Sequence, residues 1–365
     1  MKKITVLVDL YYLKAAVAGI GSYIRELEAS VNDHGSKKFE YKFSHDINKL
    51  KENSIFLNSN NKIIRWIFQI RYLIHKQIKL PLKILFSKAD YVICPDYIAP
   101  YFTFKAKRIT VLHDSLFWDY KKNYSVLWRK YFITLINLGL NKGTQIITTS
   151  NYSKKNLIKI LGNHRSINFV YQSFNFYKTS SSNYKTPENY LLHIGSFEKR
   201  KDLITLVKAF KLVDDPNLKL VLAGAQIING NYEVLDEIKT FIFQNKLEGK
   251  VILAGYVSKD EASTLYKNAR IYVFPSLDEG FGIPILEALS FSVPVICSDI
   301  DVFKEIGGEY VEYFKVGDSN SLSNKISSIL ESKNLKQKNN IKHLDKFSRK
   351  NFIKGFEEII LDSND

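Results

Sequence analysis

Short apolar runs recur along the whole chain, and most are closed by a turn signal and followed by a stretch with helical spacing. Short runs rich in Val and Ile are typical of buried strands, and strands that alternate with helices favour a parallel sheet covered on both faces. A chain of 365 residues has room for about two such domains. The predicted strands are residues 4–9, 91–94, 109–112, 145–149, 190–194, 218–223, 251–253, 270–274 and 293–297.

Helical spacing and capping residues indicate the helices between these strands. Residues 319–328 and 332–340 are merely polar, and no element is assigned to them. The predicted helices cover residues 22–31, 154–161 with Ser150 as the cap, 202–213, 259–268 and 284–290.

The best candidate for a linker between two domains is the polar stretch 177–189. We therefore predict an N-terminal domain over residues 1–177 and a C-terminal domain over residues 178–345. A last helix, over residues 346–365, could pack back on the N-terminal domain.

Basic residues are concentrated in the first half of the chain. The net charge is +16, yet residues 1–177 carry 28 Lys and Arg against 11 Asp and Glu, while residues 178–365 carry 25 against 26. Residues 53–89 contain seven basic residues and no acidic one. This asymmetry predicts that the first half faces something anionic: a membrane surface, a phosphorylated substrate or a nucleic acid.

The composition excludes several classes of protein. Hydrophobic residues make up 45% and charged residues 25%, which is typical of a folded globular protein. No apolar run approaches the ~18–20 residues of a membrane-spanning helix, and the first residues have too short an apolar core for a signal peptide. The two cysteines, Cys94 and Cys297, exclude a disulfide scaffold and a cysteine-rich metal site, so the cytoplasm is the expected compartment.

The segment over residues 274–287 carries the clearest chemistry, because a strand ends there, a glycine-bearing loop follows and a helix begins. Backbone N–H groups at such a junction can bind an anion. Glu279 in the loop and Glu287 in the helix are suited to accept hydrogen bonds from sugar hydroxyls. The alternative is that Gly280 and Gly282 only form the turn and that both acids are solvated.

Glu279 and Glu287, with Phe281-Gly282 between them, resemble the E-x7-E motif of the retaining GT-B glycosyltransferases of the group 1, or family 4, type. The resemblance is nearly continuous from residue 190 to residue 307 and looser in the first half. Ser196 stands where many relatives have a second phosphate-binding Arg, and Lys199 replaces the usual Pro. The other matching segments are residues 195–202, 253–257 and 298–305, and, in the first half, residues 19–21, 113–114 and 149–154.

This resemblance implies a GT-B fold, in which two Rossmann-like doubly wound parallel-sheet domains face each other across a cleft. It implies catalytic roles for Glu279, at the donor sugar, and for His113, as a neutral imidazole near the acceptor. Arg200 and Lys201 would neutralise the diphosphate, the alternative being a solvated helix start. The implied donor-binding residues are Gly21, Arg200, Lys201, Tyr256, Val257, Phe281, Gly282, Ile283 and Glu287.

Residues 61–87 combine an apolar helical stripe with many basic residues. Ile63, Ile67, Ile70, Ile74 and Ile78 recur at helical spacing. Apolar and basic side chains beside them predict an interfacial helix on anionic lipid, the alternative being an ordinary packed helix. The residues expected to contact acceptor or membrane are Arg65, Trp66, Arg71, Lys76 and Lys79.

Together these features predict a glycosyltransferase (a hexosyltransferase, EC 2.4.1.-) that acts in polysaccharide biosynthesis, such as lipopolysaccharide, O-antigen or capsule. It would move a sugar, with anomeric retention, from a nucleotide diphosphate sugar such as GDP-mannose or a UDP-sugar to a glycan or polyprenyl-pyrophosphate-linked acceptor. No H-E-x-x-H or D-x-D signature is present, so no metal and no cofactor are expected. The predicted location is the cytoplasm, peripheral to the inner face of the plasma membrane.

Two alternatives remain at this point. A GT-B epimerase or phosphorylase would share the fold. A basic nucleic-acid-binding protein would explain the charge and the 13% of aromatic residues. No nucleic-acid-binding signature appears, however, so no nucleic acid is expected as a partner.

Overall fold

A computed structural model describes residues 3–14, 19–50, 62–119, 125–141, 143–174, 184–224, 233–332 and 340–363. The chain divides into two compact units. Unit 1 comprises Met1–Phe174 together with Asp345–Asp365, and unit 2 comprises Asn175–Leu344. The predicted boundary at residue 177 and the first part of the predicted linker lie outside the described residues.

Unit 1 contains a six-stranded parallel sheet in the order β2-β1-β3-β4-β5-β6. The strand order changes direction between β1 and β3, which pair from Val6↔Tyr91 to Val8↔Ile93. In an open parallel sheet, ligands bind beyond the carboxyl ends of the strands at such a point. The strands are β1 (Ile4–Val8), β2 (Phe39–Phe43), β3 (Tyr91–Cys94), β4 (Lys107–Val111), β5 (Gln145–Thr148) and β6 (Ile167–Phe169).

The helices of the first 174 residues follow the predicted alternation, but those over residues 47–50, 116–119 and 126–139 were not predicted, and two predicted helices differ from their expected form. The first helix begins at Gly19, three residues before the predicted start, so Gly21 lies inside it and not in a loop. A π-helical turn, His75–Lys79, joins two helices where one was expected. Ser150 caps its helix as predicted, because its Oγ accepts the N–H of Ser153 at 3.1 Å. The helices are α1 (Gly19–His34), α2 (Ile47–Leu50), α3 (Lys62–Ile74), α4 (Leu80–Ser87), α5 (Leu116–Asp119), α6 (Val126–Gly139) and α7 (Asn151–Leu161).

Unit 2 contains a second six-stranded parallel sheet, in the order β12-β11-β10-β7-β8-β9. Here the order changes direction between β7 and β10, which are hydrogen-bonded neighbours at Ile271↔Leu191. The predicted strands of this half are confirmed to within two residues at each end. They are β7 (Tyr190–Ile194), β8 (Lys219–Ala223), β9 (Val251–Gly255), β10 (Ile271–Phe274) and β11 (Val295–Ser298). The sixth strand, β12 (Glu312–Phe314), was not predicted.

One helix of unit 2 overturns an expectation from the sequence. Ser319–Glu331 is helical, although its first ten residues were treated as merely polar. Leu322, Ile326 and Ile329 are buried on one face of this helix, and three apolar residues at helical spacing suffice to anchor it. The helices are α8 (Leu203–Leu212), α9 (Glu233–Gln244), α10 (Lys259–Asn268), α11 (Ile283–Ser290), α12 (Asp301–Gly307), α13 (Ser319–Glu331) and α14 (Ile341–Asp345).

The last helix, α15 (Arg349–Asp362), packs on the sheet of unit 1. The Phe352 ring meets the Tyr23 ring edge-on at 5.2 Å, and Arg349 Nε donates to Glu26 Oε2 at 2.9 Å. Ser36 N–H donates to Glu357 Oε1 at 2.7 Å. Because these partners are more than 300 residues away in sequence, only the folded chain reveals where this helix lies.

Both cysteines, Cys94 and Cys297, are buried and free. In the part of the chain that the structure describes, no helix combines the length and the apolar character needed to cross a membrane.

Candidate active site

The carboxyl ends of β7 and β10 lie side by side where the strand order of unit 2 changes direction. The loop after β7 contains Ser196 and the 3₁₀ turn Lys199–Lys201, and the loop after β10 contains Glu279. Leu277 N–H donates to the carbonyl of Arg200 at 2.7 Å and joins the two loops. This position is the one at which open α/β sheets bind ligands.

Three glycines lie along this edge, so no side chain covers the backbone at these positions. Gly195 follows β7, Gly224 follows β8, and Gly255 ends β9. Gly195 N–H donates to Ala223 O at 2.9 Å, and Gly224 N–H donates to Gly255 O at 2.6 Å. Gly224 has φ +144°, and a Cβ there would lie 1.8 Å from the carbonyl oxygen of Gly195. Gly224 was not predicted to lie at this edge; the available signal was a glycine placed directly after an apolar strand.

Glu279 is the centre of a cluster of charges. Its Oε1 lies 2.5 Å from Lys201 Nζ and 2.7 Å from Arg200 Nη1, and it accepts the Ser276 hydroxyl at 3.1 Å. Burial alone would raise the pKa of Glu279, but the Lys201 ammonium and the Arg200 guanidinium outweigh burial and lower it to about 2. Glu279 is therefore ionised at neutral pH and accepts hydrogen bonds without donating a proton.

Arg200 and Lys201 are not solvated residues at a helix start. Lys201 is buried, its Nζ lies 4.6 Å from the centre of the Phe274 ring, and it donates to Glu279. Arg200 keeps 21% of its side chain exposed and pairs through Nε with Glu198 Oε2 at 2.9 Å. The two cations thus already face two carboxylates, and an incoming diphosphate would compete with those carboxylates for Arg200.

The residues that follow Glu279 form the start of α11. Gly282 is the N-terminal cap of this helix with φ +115°, a conformation that glycine adopts without strain. A Cβ there would lie 3.1 Å from Phe303 Cε1, while Phe281 is buried beside it. Ile283 opens the helix, Pro284 has no N–H, and the Ile285 N–H donates to the Gly282 carbonyl at 3.0 Å, so Ile283 is the residue of this first turn whose N–H could reach an anion.

Glu287 lies one turn inside α11 and is half-buried. Its Oε2 accepts a hydrogen bond from the Tyr266 hydroxyl at 3.0 Å, so Glu287 is not a fully solvated acid. Tyr256, 77% exposed, and Val257 follow the edge strand β9, three strand positions from β10. At ~4.8 Å per strand, this strand end lies ~14 Å from the end that carries Glu279. The structure therefore groups Glu279 with Arg200, Lys201 and Ser276 and leaves Tyr256 and Val257 at a distance.

His113 and Gly21 belong to unit 1, whereas the other predicted donor residues belong to unit 2. The Nε2 atom of His113 lies 2.8 Å from the carbonyl oxygen of Pro95, and a carbonyl only accepts, so Nε2 carries the proton. Burial lowers the pKa of His113 to about 4, partly opposed by this hydrogen bond. The ring is therefore neutral, as predicted, and Nδ1 is a hydrogen-bond acceptor.

Lys76 corrects the prediction that it contacts a membrane. It is fully buried, and its Nζ lies 2.7 Å from Asp9 Oδ2 and 2.5 Å from Asp96 Oδ1. Tyr72 also donates to Asp96 Oδ2, at 2.9 Å. Asp9 and Asp96 follow β1 and β3, the two strands between which the order of this sheet reverses. Lys76 therefore closes this point of unit 1 and is not part of its surface.

The rest of the predicted helix surface is exposed. Trp66, Arg71 and Lys79 face solvent, while the side chain of Arg65 lies outside the described residues. The predicted isoleucine positions are open and are not packed in a core, with Ile70 48% exposed. We call these positions and their continuation through α4 the apolar stripe. It comprises Ile63, Trp66, Ile67, Ile70, Ile74, Ile78, Leu82, Leu85 and Phe86.

Asp9, His45 and His75 each place one potential metal ligand within 4.8 Å of the others. His75 Nε2 lies 2.9 Å from Asp9 Oδ1, and Lys76 holds the other carboxylate oxygen. The Asp9 carboxylate is thus already engaged by two side chains, one of them a cation, which disfavours a divalent metal ion at this cluster.

Residues 178–344 match the sequence profile of the family described as "Glycosyl transferases group 1". The O-antigen chain mannosyltransferase RfbU of Salmonella typhimurium is 30% identical over 206 residues, which cover 56% of this chain and 56% of that protein. The O-antigen chain mannosyltransferase B of Escherichia coli is 26% identical over 235 residues, which cover 59% and 58%. The chain therefore spans a little over half the length of these relatives.

Solved structures resemble the whole chain. A glycosyltransferase from Rickettsia africae aligns with a TM-score of 0.70 over 100% of this chain and 99% of that chain, at 17% identity. HepE from Anabaena, solved with UDP and glucose, aligns with a TM-score of 0.68 over 98% of each chain, at 16% identity. The predicted fold class, GT-B with two Rossmann-like parallel-sheet domains, is confirmed. Over residues 178–344 this GT-B chain carries a segment that matches the group 1 glycosyl transferases.

Proposed function

We propose that this protein is a retaining glycosyltransferase that moves a sugar from a nucleotide diphosphate sugar to a glycan or lipid-linked acceptor in the assembly of a surface polysaccharide. The observation that carries the proposal is the cluster of Glu279 with Arg200 and Lys201, located where the strand order of unit 2 reverses and inside the segment that matches the family. The relatives named as O-antigen mannosyltransferases support the substrate class.

The geometry of the cluster suggests a separate role for each residue in donor binding and transfer. The ionised Glu279 would accept hydrogen bonds from hydroxyls of the donor sugar and stabilise the positive charge that develops at the anomeric carbon. Arg200, the more exposed of the two cations, would turn from Glu198 to the diphosphate as its charge grows. Glu287 would hold the ribose hydroxyls, and His113 would accept a hydroxyl at Nδ1. A hydroxyl of the acceptor would attack the anomeric carbon on the face from which the nucleoside diphosphate leaves, and its proton would pass to the departing phosphate oxygen, which gives retention.

We also propose that the apolar stripe contacts an anionic lipid surface, which is where a polyprenyl-pyrophosphate-linked acceptor would be found. Trp66, 70% exposed, and Phe86, 80% exposed, lie near its two ends, and Arg71 and Lys79 lie beside it. A helix with an open apolar face and basic neighbours fits the boundary between headgroups and acyl chains. Trp66→Ser with Phe86→Ser should reduce flotation with phosphatidylglycerol vesicles, and unchanged flotation would refute this contact.

The catalytic assignment is tested by Glu279→Gln, which keeps the size of the side chain and removes its charge. Transfer from UDP- or GDP-sugars should fall by about 10²–10³-fold, the loss typical when one preorganised electrostatic contact is removed. UDP or GDP should bind at least as tightly, because Arg200 and Lys201 lose a competing carboxylate. Isothermal titration and a transfer assay, each with and without EDTA, measure the two effects.

The matched control is Glu312→Gln, which removes an exposed carboxylate of unit 2 that pairs with Lys325 at 2.8 Å. It should transfer at the wild-type rate. Wild-type turnover by the Glu279 variant would contradict the assignment. Loss of transfer in EDTA, restored by Mg²⁺, would show a metal requirement that we do not expect.

A further inference from the structure

Unit 1 contains a cavity of about 410 Å³ whose wall is strongly basic. It lies at the carboxyl ends of β1 and β2, because Tyr11 follows the first strand and His45 the second. Its cations are Lys14, Arg71, Lys79 and Lys83, and no acidic residue lines it in the part of the chain that the structure describes. We call this the basic cavity.

The cations of the basic cavity are held close together. Burial lowers the pKa of Lys14, and the charges of Lys79 and Arg71 lower it further. Burial and the charges of Lys14 and Lys79 also lower the pKa of Lys83, although Asp9 opposes them. Within the described part of the chain, no carboxylate lies within 4.0 Å of the ammonium groups of Lys14, Lys79 or Lys83. These cations repel one another, and an anion that enters the cavity would relieve the repulsion.

His75 gives a second, independent indication of a ligand. It lines the basic cavity, is 1% exposed, and stacks on the Tyr11 ring at 4.0 Å. Its Nε2 is engaged by Asp9 Oδ1 at 2.9 Å, whereas its Nδ1 has no hydrogen-bond partner among the described residues. Buried polar atoms are nearly always hydrogen-bonded, so an unmatched one in a cavity wall calls for a ligand atom or a water. Because the Asp9 carboxylate only accepts, Nε2 donates to it, and Nδ1 is the ring atom left to a water or to the hydroxyl of a bound, singly protonated phosphate.

We propose that the basic cavity binds a phosphate or diphosphate group carried by the acceptor of the transfer reaction. The identity of the ligand as the acceptor rests on the proposed function, whereas the binding of an anion in this cavity does not. Ile74 belongs both to the wall of the basic cavity and to the apolar stripe, so a phosphate bound here lies beside a surface suited to lipid. A lipid-linked diphosphate has this combination of a compact anion and an apolar chain.

Inorganic pyrophosphate is the first probe, and the His45 ring is the reporter, because it lines the basic cavity of unit 1. In spectra of histidine-labelled full-length protein, His45→Gln identifies its signal among the seven histidines. Burial and the charges of Lys83 and His75 lower the pKa of His45 to about 4. A bound anion should raise that pKa, so pyrophosphate should shift the His45 signal saturably and more strongly at lower pH. A signal that does not move would overturn the proposal.

The decisive variant is Lys14→Gln with Lys83→Gln, and its matched control is Lys105→Gln with Lys130→Gln, two exposed lysines of unit 1 outside the basic cavity. The first pair should weaken pyrophosphate binding at His45 by about 100-fold, the loss expected for two charge-assisted hydrogen bonds. The control pair should bind like the wild type. Equal weakening by both pairs would mean general charge attraction and would refute the site.

Two kinds of vesicle distinguish the source of the phosphate. Phosphatidylcholine vesicles carrying a polyprenyl diphosphate should shift the His45 signal, and the cavity variant should lose this response. An equal response to phosphatidylglycerol vesicles of the same charge would mean that the cavity binds anionic lipid headgroups in general. That result would overturn the assignment to the acceptor. Slow hydrolysis of the nucleotide sugar should persist in the cavity variant, whereas failure of the proposed function would remove hydrolysis from the wild type as well.

Discussion

The two units contain similar parallel sheets, but they differ at the point where the strand order reverses. In unit 2, glycines leave the carboxyl edge bare beside Glu279, and Gly224 lies so close to Gly195 that no side chain fits. In unit 1, Asp9 and Asp96 follow the two central strands, and Lys76 fills the space between them. The residues in the first two positions after these strands therefore decide whether this edge is open or closed.

The two units also differ in how they balance charge. In unit 2, Arg200 and Lys201 face Glu279 and Glu198, so the cations have partners before any ligand arrives. In unit 1, the buried Lys76 is paired with Asp9, whereas the described residues that line the basic cavity include no acid. Part of the excess positive charge of the first half thus lies at the basic cavity and along the helical surface beside it.

The bare edge of unit 2 leads to the largest expected effect on stability. Gly224→Ala would place a Cβ 1.8 Å from the Gly195 carbonyl oxygen at φ +144°. We expect a loss of more than about 5 kcal/mol in the free energy of unfolding, a size reached only through forced overpacking or strain. The control is Gly255→Ala, where φ is +68° but no atom lies within 4 Å. It should cost about 1–2 kcal/mol, as a left-handed alanine does. Urea unfolding of soluble protein measures both, and equal losses would contradict the predicted contact.

The closed edge of unit 1 leads to the next effect. Lys76→Met leaves Asp9 and Asp96 buried without their shared cation, and breaking a buried ion pair costs about 3–5 kcal/mol. Lys201→Met should cost less, because Arg200 still pairs with Glu279. Lys79→Met, an exposed lysine on the same helical segment, should change stability by less than about 0.5 kcal/mol. A Lys76 variant as stable as the Lys79 variant would refute the buried network.

The smallest expected effect concerns the pH dependence of stability, to which each unit contributes a histidine: the half-buried His113 of unit 1 and the buried His193 of unit 2. Burial lowers the pKa of His113 in unit 1 and of His193 in unit 2 to about 4, while an unfolded histidine titrates near pH ~6.5. Between these values the unfolded chain binds protons that the folded chain does not, so the free energy of unfolding decreases as the pH falls. We expect a loss on the order of 1 kcal/mol per histidine between about pH 7 and 5. Urea unfolding at constant ionic strength measures it, and His193→Gln should reduce the slope.

Local patterns in the sequence predicted the elements because strands and helix caps depend on neighbouring residues. The strand Tyr91–Cys94 and the helix Lys259–Asn268 match their predicted bounds, and Ser150 caps its helix. The polar segment that forms α13 was missed, because only its apolar residues at helical spacing, such as Leu322 and Ile326, carry the signal.

The candidate site could be predicted only in part. The positions of Glu279 and Glu287 after a strand were visible in the sequence, because the motif is continuous along the chain. The pairing of Glu279 with Lys201 was not visible, since it joins residues 78 positions apart. Tyr256 appeared equivalent to the other donor residues in sequence, but the strand order places it at the far edge of the sheet.

The helical surface over residues 62–87 separates the properties that the sequence determines from those that depend on the tertiary structure. Composition and spacing determined that the segment is helical, apolar on one side and basic beside it. They could not decide that Ile70 and Trp66 stay exposed while Lys76, in the same basic pattern, is buried between two carboxylates. Lys76 and Lys79 lie one turn apart on the same helical segment. Lys76 is buried and Lys79 is exposed because strands β1 and β3 bring Asp9 and Asp96 together beside Lys76. A charge is buried when distant parts of the chain supply its partners, and those partners are set by the sheet.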